Sequence, residues 1–320
     1  MTTKARRAPS RSLRNRLRMR QLELLAALDH APTLSAAARE VNLSQPAASK
    51  LLHTLAVDLG VTLFERAGRS LRPTAAGRAL LRRAATFVGD LDRAQGELDA
   101  IEAGLIGSIS LGAGVGSCYA LVPRALDSLL GSAPNISVRV REGTIEELLG
   151  GLRGGRFDLI VGRLDLSGAD RALVVEELYN PSTNIVCGPR HPLARGSRPS
   201  WDEVLAYDWI LPETGTPMRN GVEALFGRLR QHPKRALIES SSIQTNVALM
   251  AERDLLWVLS SDIADYFAKL GALRIVKLPR LAGPSPVVMA HTRERGLSPA
   301  AQRLVDCFKR AARDLRSAKK

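Results

Sequence analysis

The feature that most limits how this chain can fold lies about a quarter of the way along it. From Thr74 to about Gly104, the residues Leu80, Ala84, Phe87, Leu91, Ala94, Leu98, Ile101 and Leu105 recur at alternate spacings of four and three. A sustained 3.5-residue apolar repeat is the seam of a coiled coil. Burial of that seam within one chain is the alternative, but a helix linking two domains has little of its own chain to pack against. The repeat therefore predicts a linker and dimerisation helix over 77–105, with a small folded part before it and a large one, 106–320, after it.

Charge says what the smaller part meets. Residues 1–83 carry 16 Lys or Arg against 5 Asp or Glu, most of the chain's net +14. The partner of that segment should be a polyanion. An anionic membrane surface would also satisfy the charge, but the apolar residues here follow the pattern of a packed domain without an exposed greasy face. Residues 1–16 read as a disordered basic tail that lacks the apolar block of an export signal. No apolar run approaches the roughly 18 residues of a bilayer span, and Cys118, Cys187 and Cys307 are too scattered for a disulfide framework or a metal site. A reducing cytoplasm is the expected location.

Residues 17–76 read as a winged helix-turn-helix. Leu17, Leu22, Leu25 and Leu28 form the stripe of a first helix that ends before Pro32. Thr33 to Val41 makes a second, small-residue helix, and Asn42-Leu43 the turn. Ser44 suits the N-cap of a third helix with Pro46 near its front, where a missing N–H costs nothing. That helix turns Leu51, Leu52 and Leu55 inward and leaves Gln45, Ser49, Lys50 and His53 outside, the polar face expected of a major-groove reader, although solvated residues on any surface helix would look the same. Strand, turn and strand over 61–74 would make a wing, placing Arg66, Arg69 and Arg72 beside the backbone or in the minor groove.

These residues resemble a known family. Leu34-Ser35-Ala36-Ala37-Ala38, then Leu43-Ser44-Gln45-Pro46-Ala47-Ala48-Ser49-Lys50, then Leu63-Phe64-Glu65-Arg66 and Thr74-x-x-Gly77 are similar to the LysR-type transcriptional regulators. The resemblance gives Gln45, Pro46, Ser49 and Lys50 the recognition-helix role and Arg69 the wing role, with Ser35 and Arg66 expected to contact DNA beside them, and it implies a dimerising linker helix and C-terminal domains that often build tetramers. It departs at Ala56-Val57, where the family usually has an acidic residue, which puts a local ion pair in doubt but not the docking. A two-fold dimer would read a pseudo-palindromic operator in double-stranded DNA, with RNA polymerase as a further contact.

After Gly107 strands alternate with helices, the pattern of an α/β sandwich long enough for two lobes, with lobe 1 at about 108–178 and 284–316 and lobe 2 at about 179–283. Strands are expected at 108–113, 136–142, 157–162, 174–178, 184–188, 209–211, 236–239, 255–259, 273–278 and 287–290, with helices at 119–130 and 299–315. In such folds ligands lie beyond the carboxyl ends of strands, between lobes. That rule nominates Gly116, Ser117, Thr144, Arg163, Ser241 and Ser242 for a small-molecule effector, a carboxylate or a sugar-derived metabolite. Singly, each hydroxyl could equally cap its own helix. The resemblance agrees, implying two crossed Rossmann-like subdomains like those of periplasmic binding proteins and a structural turn at Gly188-Pro189-Arg190-His191-Pro192-Leu193-Ala194. Arg141 to Thr144, and Gly155 to Arg163, further resemble a branch concerned with sugar uptake and aromatic-acid catabolism.

The expected fold class is therefore α+β multidomain, with a winged helix-turn-helix, a long dimerisation helix and a two-lobed α/β domain. Two other classes compete. Gly112-Ala113-Gly114-Val115-Gly116-Ser117, with Glu142 ending the next strand, approaches a dinucleotide fingerprint, though Ser117 replaces its third glycine. An architectural protein would bend DNA without heeding any metabolite. The five histidines lack paired cysteines or carboxylates at usable spacing, so no catalytic site, metal or cofactor is expected and the chain reads as no enzyme.

Overall fold

The computed structural model describes residues 13, 16–31, 33–67, 70–102, 106–163, 171–195, 198–279, 281, 283 and 285–317. The basic tail lies almost wholly outside the described residues, as does Arg69. The chain forms two compact units, one of 1–112, 135–139 and 146–158, the other of 113–134, 140–145 and 159–320.

The first unit opens with α1 (Met19–Leu28), α2 (Leu34–Glu40) and α3 (Gln45–Leu59), a hairpin of β1 (Phe64–Ala67) and β2 (Ser70–Pro73), and the long α4 (Ala75–Glu102). Their core gathers Leu24, Leu25, Leu52, Leu55, Leu63 and Leu81 around Ala37, Ala38, Ala48 and Ala84. The alanines explain why two short helices cross so closely: no larger side chain holds the backbones apart. Local chemistry sets the ends. Thr33 accepts from Ala36 N at 3.1 Å and Ser44 from Ala47 N at 3.3 Å. Asn42 turns the chain between α2 and α3 with φ +55, and Gly60 ends α3 with φ +67, a region that asparagine and glycine enter at least cost.

The join between wing and linker helix explains the Thr-x-x-Gly spacing. The Thr74 hydroxyl donates to the Thr62 carbonyl at 2.8 Å and accepts from Gly77 N at 3.1 Å. Gly77 lies against the Leu63 carbonyl, whose carbon would be 3.1 Å from any added Cβ. Thr74 thus caps α4 while gripping the base of the hairpin, and only glycine lets helix and strand come that close.

The remaining strands are β3 (Gly107–Gly114), β4 (Ile136–Gly143), β5 (Leu159–Arg163), β6 (Leu173–Tyr179), β7 (Thr183–Cys187), β8 (Asp208–Leu211), β9 (Arg235–Glu239), β10 (Leu255–Ser260), β11 (Arg274–Ile275) and β12 (Val287–Thr292). They form two five-stranded sheets of order β4-β3-β5-β12-β6 and β11-β7-β10-β8-β9. In the second sheet β8 runs parallel to both β9 and β10, while β7 is antiparallel to β10, with Ser260 opposite Thr183. The chain thus returns from that sheet to place β12 antiparallel between β5 and β6. The helices are α5 (Leu121–Ser132), α6 (Ile145–Arg153), α7 (Trp201–Leu205), α8 (Pro217–Leu229), α9 (Ile243–Glu252), α10 (Ser261–Lys269) and α11 (Pro299–Ser317). Every residue of β7 and β10 is buried, which is why Leu255 to Leu259 of β10 read as an unbroken apolar run and not as an alternation, while β7 buries Thr183 and Asn184 beside its apolar residues.

Two expectations need correction. The strand predicted over 273–278 shrinks to β11, because Leu278 N turns back to donate to the Val276 carbonyl at 2.7 Å just ahead of Pro279. The helix predicted from Tyr119 is a 3-10 turn, Val115–Tyr119, followed by α5. Among the described residues no helix is long and apolar enough to cross a membrane.

Candidate nucleic-acid interface and effector site

The front of α3 is built to be seen from outside. Ser44 caps it, Pro46 occupies its first turn, and Ala48, Leu52 and Leu55 bury the opposite side. Gln45, Pro46, Ser49, Lys50 and His53 are all exposed, and no acid stands among them before Asp58. Ser35 is exposed in the first turn of α2. In the hairpin Arg66 faces Leu71 and Glu65 faces Arg72. Gly68 and Arg69, at its tip, lie outside the described residues, so the expected role of Arg69 has no geometry here.

The six residues nominated for an effector fall into different environments. Ser117 is buried in the 3-10 turn, whereas Gly116 beside it opens onto space with no atom within 4 Å of where a Cβ would stand. Thr144 is exposed immediately before α6. Ser242 caps α9, accepting from Thr245 N at 3.4 Å, and Ser241 donates to Glu213 Oε1 at 2.8 Å. Arg163 is committed inside the protein: its guanidinium donates to the Ser285 carbonyl at 2.5 Å and the Pro181 carbonyl at 3.3 Å. Burial lowers its pKa, opposed by the nearby Asp262 and Tyr179, and Tyr179 donates to Asp262 Oδ2 at 2.6 Å. Arg163 thus ties the end of β5 to the segments on either side of the second sheet.

The chemistry of the rest is quiet. His191 Nδ1 accepts from Leu193 N at 3.0 Å and its ring lies tilted against that of Tyr207, with centroids 4.4 Å apart. Burial lowers its pKa. It is a neutral turn residue, and among the described residues no cluster could hold a metal ion. Burial pushes the Cys118 thiol up to about 11 and that of Cys187 to about 12, the opposite of an activated nucleophile. At the glycine-rich end of β3, a Cβ on Gly114 would stand 3.3 Å from the Gly162 Cα. That glycine serves the close approach of β3 and β5, so the dinucleotide fingerprint loses its basis.

Residues 19–78 match the family model for the bacterial regulatory helix-turn-helix protein of the lysR family, and residues 102–313 match the LysR substrate binding domain. This chain belongs to the LysR family. It is 34% identical over 301 residues to the HTH-type transcriptional regulator GbpR of Azospirillum brasilense, covering 94% of this chain and 88% of the relative. It is 32% identical over 291 residues to the SDS degradation transcriptional activation protein of Pseudomonas sp. (strain ATCC 19151), covering 89% and 93%. Among solved structures it is similar to CbnR, a LysR family transcriptional regulator, with a TM-score of 0.61 at 22% identity, covering 92% of this chain and 99% of that one. It is also similar to full-length CbnR in complex with its target DNA, with a TM-score of 0.59 at 21% identity, covering 92% and 100%. At that identity the likeness is one of fold. The chain is a LysR-type DNA-binding transcription regulator with an effector-binding domain, and not an enzyme.

The linker helix α4 has two separate rows. Leu81 and Ala84 belong to the DNA-binding core, while Ala85, Gly89, Gly96 and Ala100 are also buried within the chain. Phe87, Leu91, Leu98 and Ile101 are between 44 and 69 % exposed, far more than apolar side chains in a finished interface. Of the residues in the apolar repeat, Ala84 is buried in the DNA-binding core and Leu80 packs against it, so the exposed row begins at Phe87. The row Gly89, Gly96 and Ala100 was missed, since glycine and alanine give no hydropathy signal; their spacing of seven and four was the only clue.

Proposed function

We propose that this LysR-type regulator works in the cytoplasm as a dimer or tetramer, reading a pseudo-palindromic operator and adjusting its grip when a small metabolite binds its C-terminal domain. The observation that carries the reading is the pairing of an acid-free exposed face on α3 with an exposed apolar row, Phe87 to Ile101, on α4. The first meets DNA and the second a second copy. Gln45 has the amide geometry for adenine N6 and N7, Ser49 and Lys50 reach base edge or phosphate, Pro46 touches a thymine methyl, and Ser35, Arg66 and Arg69 hold the backbone.

The effector falls to the ends of strands where Gly116, Ser117, Thr144, Ser241 and Ser242 lie. What supports this is a set of hydroxyl and main-chain groups at helix starts. Because Arg163 is engaged by two carbonyls, its part is to position the chain around the ligand. Recognition then rests on hydrogen bonds to hydroxyls and N–H groups, which suits a sugar-derived metabolite at least as well as a carboxylate. Footprinting on fragments of the source genome, with and without a panel of small carboxylates and sugars, tests the whole reading. Protection of a two-fold site that one compound alters is expected; protection that none alters would point to an architectural protein, and no specific protection would sink the proposal.

A further inference from the structure

We propose that the end of α6 and the turn that follows it, residues 150–158, are a latch on the linker helix, through which movement of the effector domain reaches the DNA-binding domain. This rests on the reading above that the C-terminal half answers a small molecule. The contact is one of backbone against backbone. A Cβ on Gly89 would stand 2.7 Å from the Gly155 carbonyl carbon and 3.0 Å from its Cα, and a Cβ on Gly154 would stand 3.2 Å from that of Ala85. Glycine is the poorest helix former after proline, so nothing in α4 itself explains Gly89. The approach of the turn does.

A second contact lies one helical turn further along. Arg93, held by Asp90 at 2.7 Å, reaches the Asp158 carboxylate at 3.8 Å. Asp158 is in turn pinned to β3, since its other oxygen accepts from Ser110 N at 2.7 Å and its own N–H donates to the Ser110 carbonyl at 2.8 Å. Beyond it Gly96 packs against Ser108, whose hydroxyl would be 3.5 Å from an added Cβ. A cavity of about 370 Å³, bordered by His30 and Glu40 of the DNA-binding domain, Val88 of α4, and Gly154 and Arg156 of the turn, lies beside the contact. The other end of α6 begins directly after Thr144, a candidate effector contact. A nine-residue helix, about 13 Å long, therefore joins the ligand-facing end to the latch.

Three variants test this in the full-length protein. Ala85→Cys combined with Gly154→Cys should form an intrachain disulfide on mild oxidation, identified by peptide mass mapping. Gly89→Ala should keep the helix, since alanine favours it, while pushing the turn away; Asp158→Asn should loosen the same contact by removing the charge opposite Arg93. The expected result is a ready disulfide, with each releasing variant changing operator affinity at least about fivefold, the lower end of ordinary allosteric coupling, or altering the length protected, at unchanged helix content by circular dichroism. No disulfide, or wild-type affinity and footprint in both folded releasing variants, overturns the latch. Whether any metabolite alters the wild-type footprint is read separately: failure there removes the effector reading and leaves the latch result standing.

Discussion

At the scale of single residues, similar side chains have opposite duties according to what surrounds them. Gln45 is exposed on a rigid, capped first turn, so replacing it by Ala should reduce discrimination between operator and mutated operator by about 1–3 kcal/mol at one base pair while leaving non-specific binding nearly unchanged. Competition binding checks this, and an equal loss on all sequences would remove Gln45 from the reading role. Arg163, by contrast, spends its donors on two carbonyls. Arg163→Met should cost on the order of 2 kcal/mol in chemical denaturation. His191 has a folded-state pKa lowered from 6.5 by burial, so it is neutral in the fold where the unfolded chain binds a proton. Its contribution is intact above about pH 6.5 and is lost as pH falls below that value. Melting temperature should therefore drop more between pH 7.5 and 5.5 in the wild type than in His191→Asn, whose oxygen can still accept from Leu193 N; equal drops would exclude His191 as the cause.

At the scale of elements, what could be read from the sequence is what local chemistry decides. Ser44, Pro46 and Gly60 announce the two ends of α3 because capping and left-handed termination need only neighbouring residues; Ser44→Ala should lower stability by about 1 kcal/mol in thermal or denaturant melts. The linker helix was legible because a 3.5-residue repeat survives over its whole length, and the buried strand β10 because Leu255 to Leu259 are a continuous apolar run. The function of Gly89 was not legible, since its reason lies more than sixty residues away in a turn at Gly154. The same holds for Arg163, whose partners are main-chain carbonyls of Pro181 and Ser285 and so leave no side-chain signature. Of the effector candidates, the sequence found hydroxyls at helix starts, but which of them cap their own helix, as Ser242 does, is settled only by folded geometry.

At the scale of the whole molecule, two rows on α4 divide its surface, one buried within the chain and one, Phe87 to Ile101, exposed and proposed above for a second copy. Leu91→Glu with Leu98→Glu should yield a monomer by light scattering and weaken operator binding steeply, because two linked reading heads gain from effective concentration that single ones lack; a variant that remained dimeric would place the principal contact elsewhere. Deleting residues 1–16, with six basic side chains, should flatten the dependence of affinity on salt, and an unchanged slope would deny the tail a phosphate role. The join at Thr74 and Gly77 has a mechanical corollary. There the helix is capped by the same hydroxyl that holds the hairpin, and Gly77 rests on the Leu63 carbonyl, so α4 and the reading head act as one lever. Its 28 residues measure about 42 Å. A tilt of roughly 5° at the far end would sweep the near end by about 3.7 Å, close to the ~3.4 Å rise of one base-pair step, so a slight motion at one end of the lever corresponds to a whole step at the DNA.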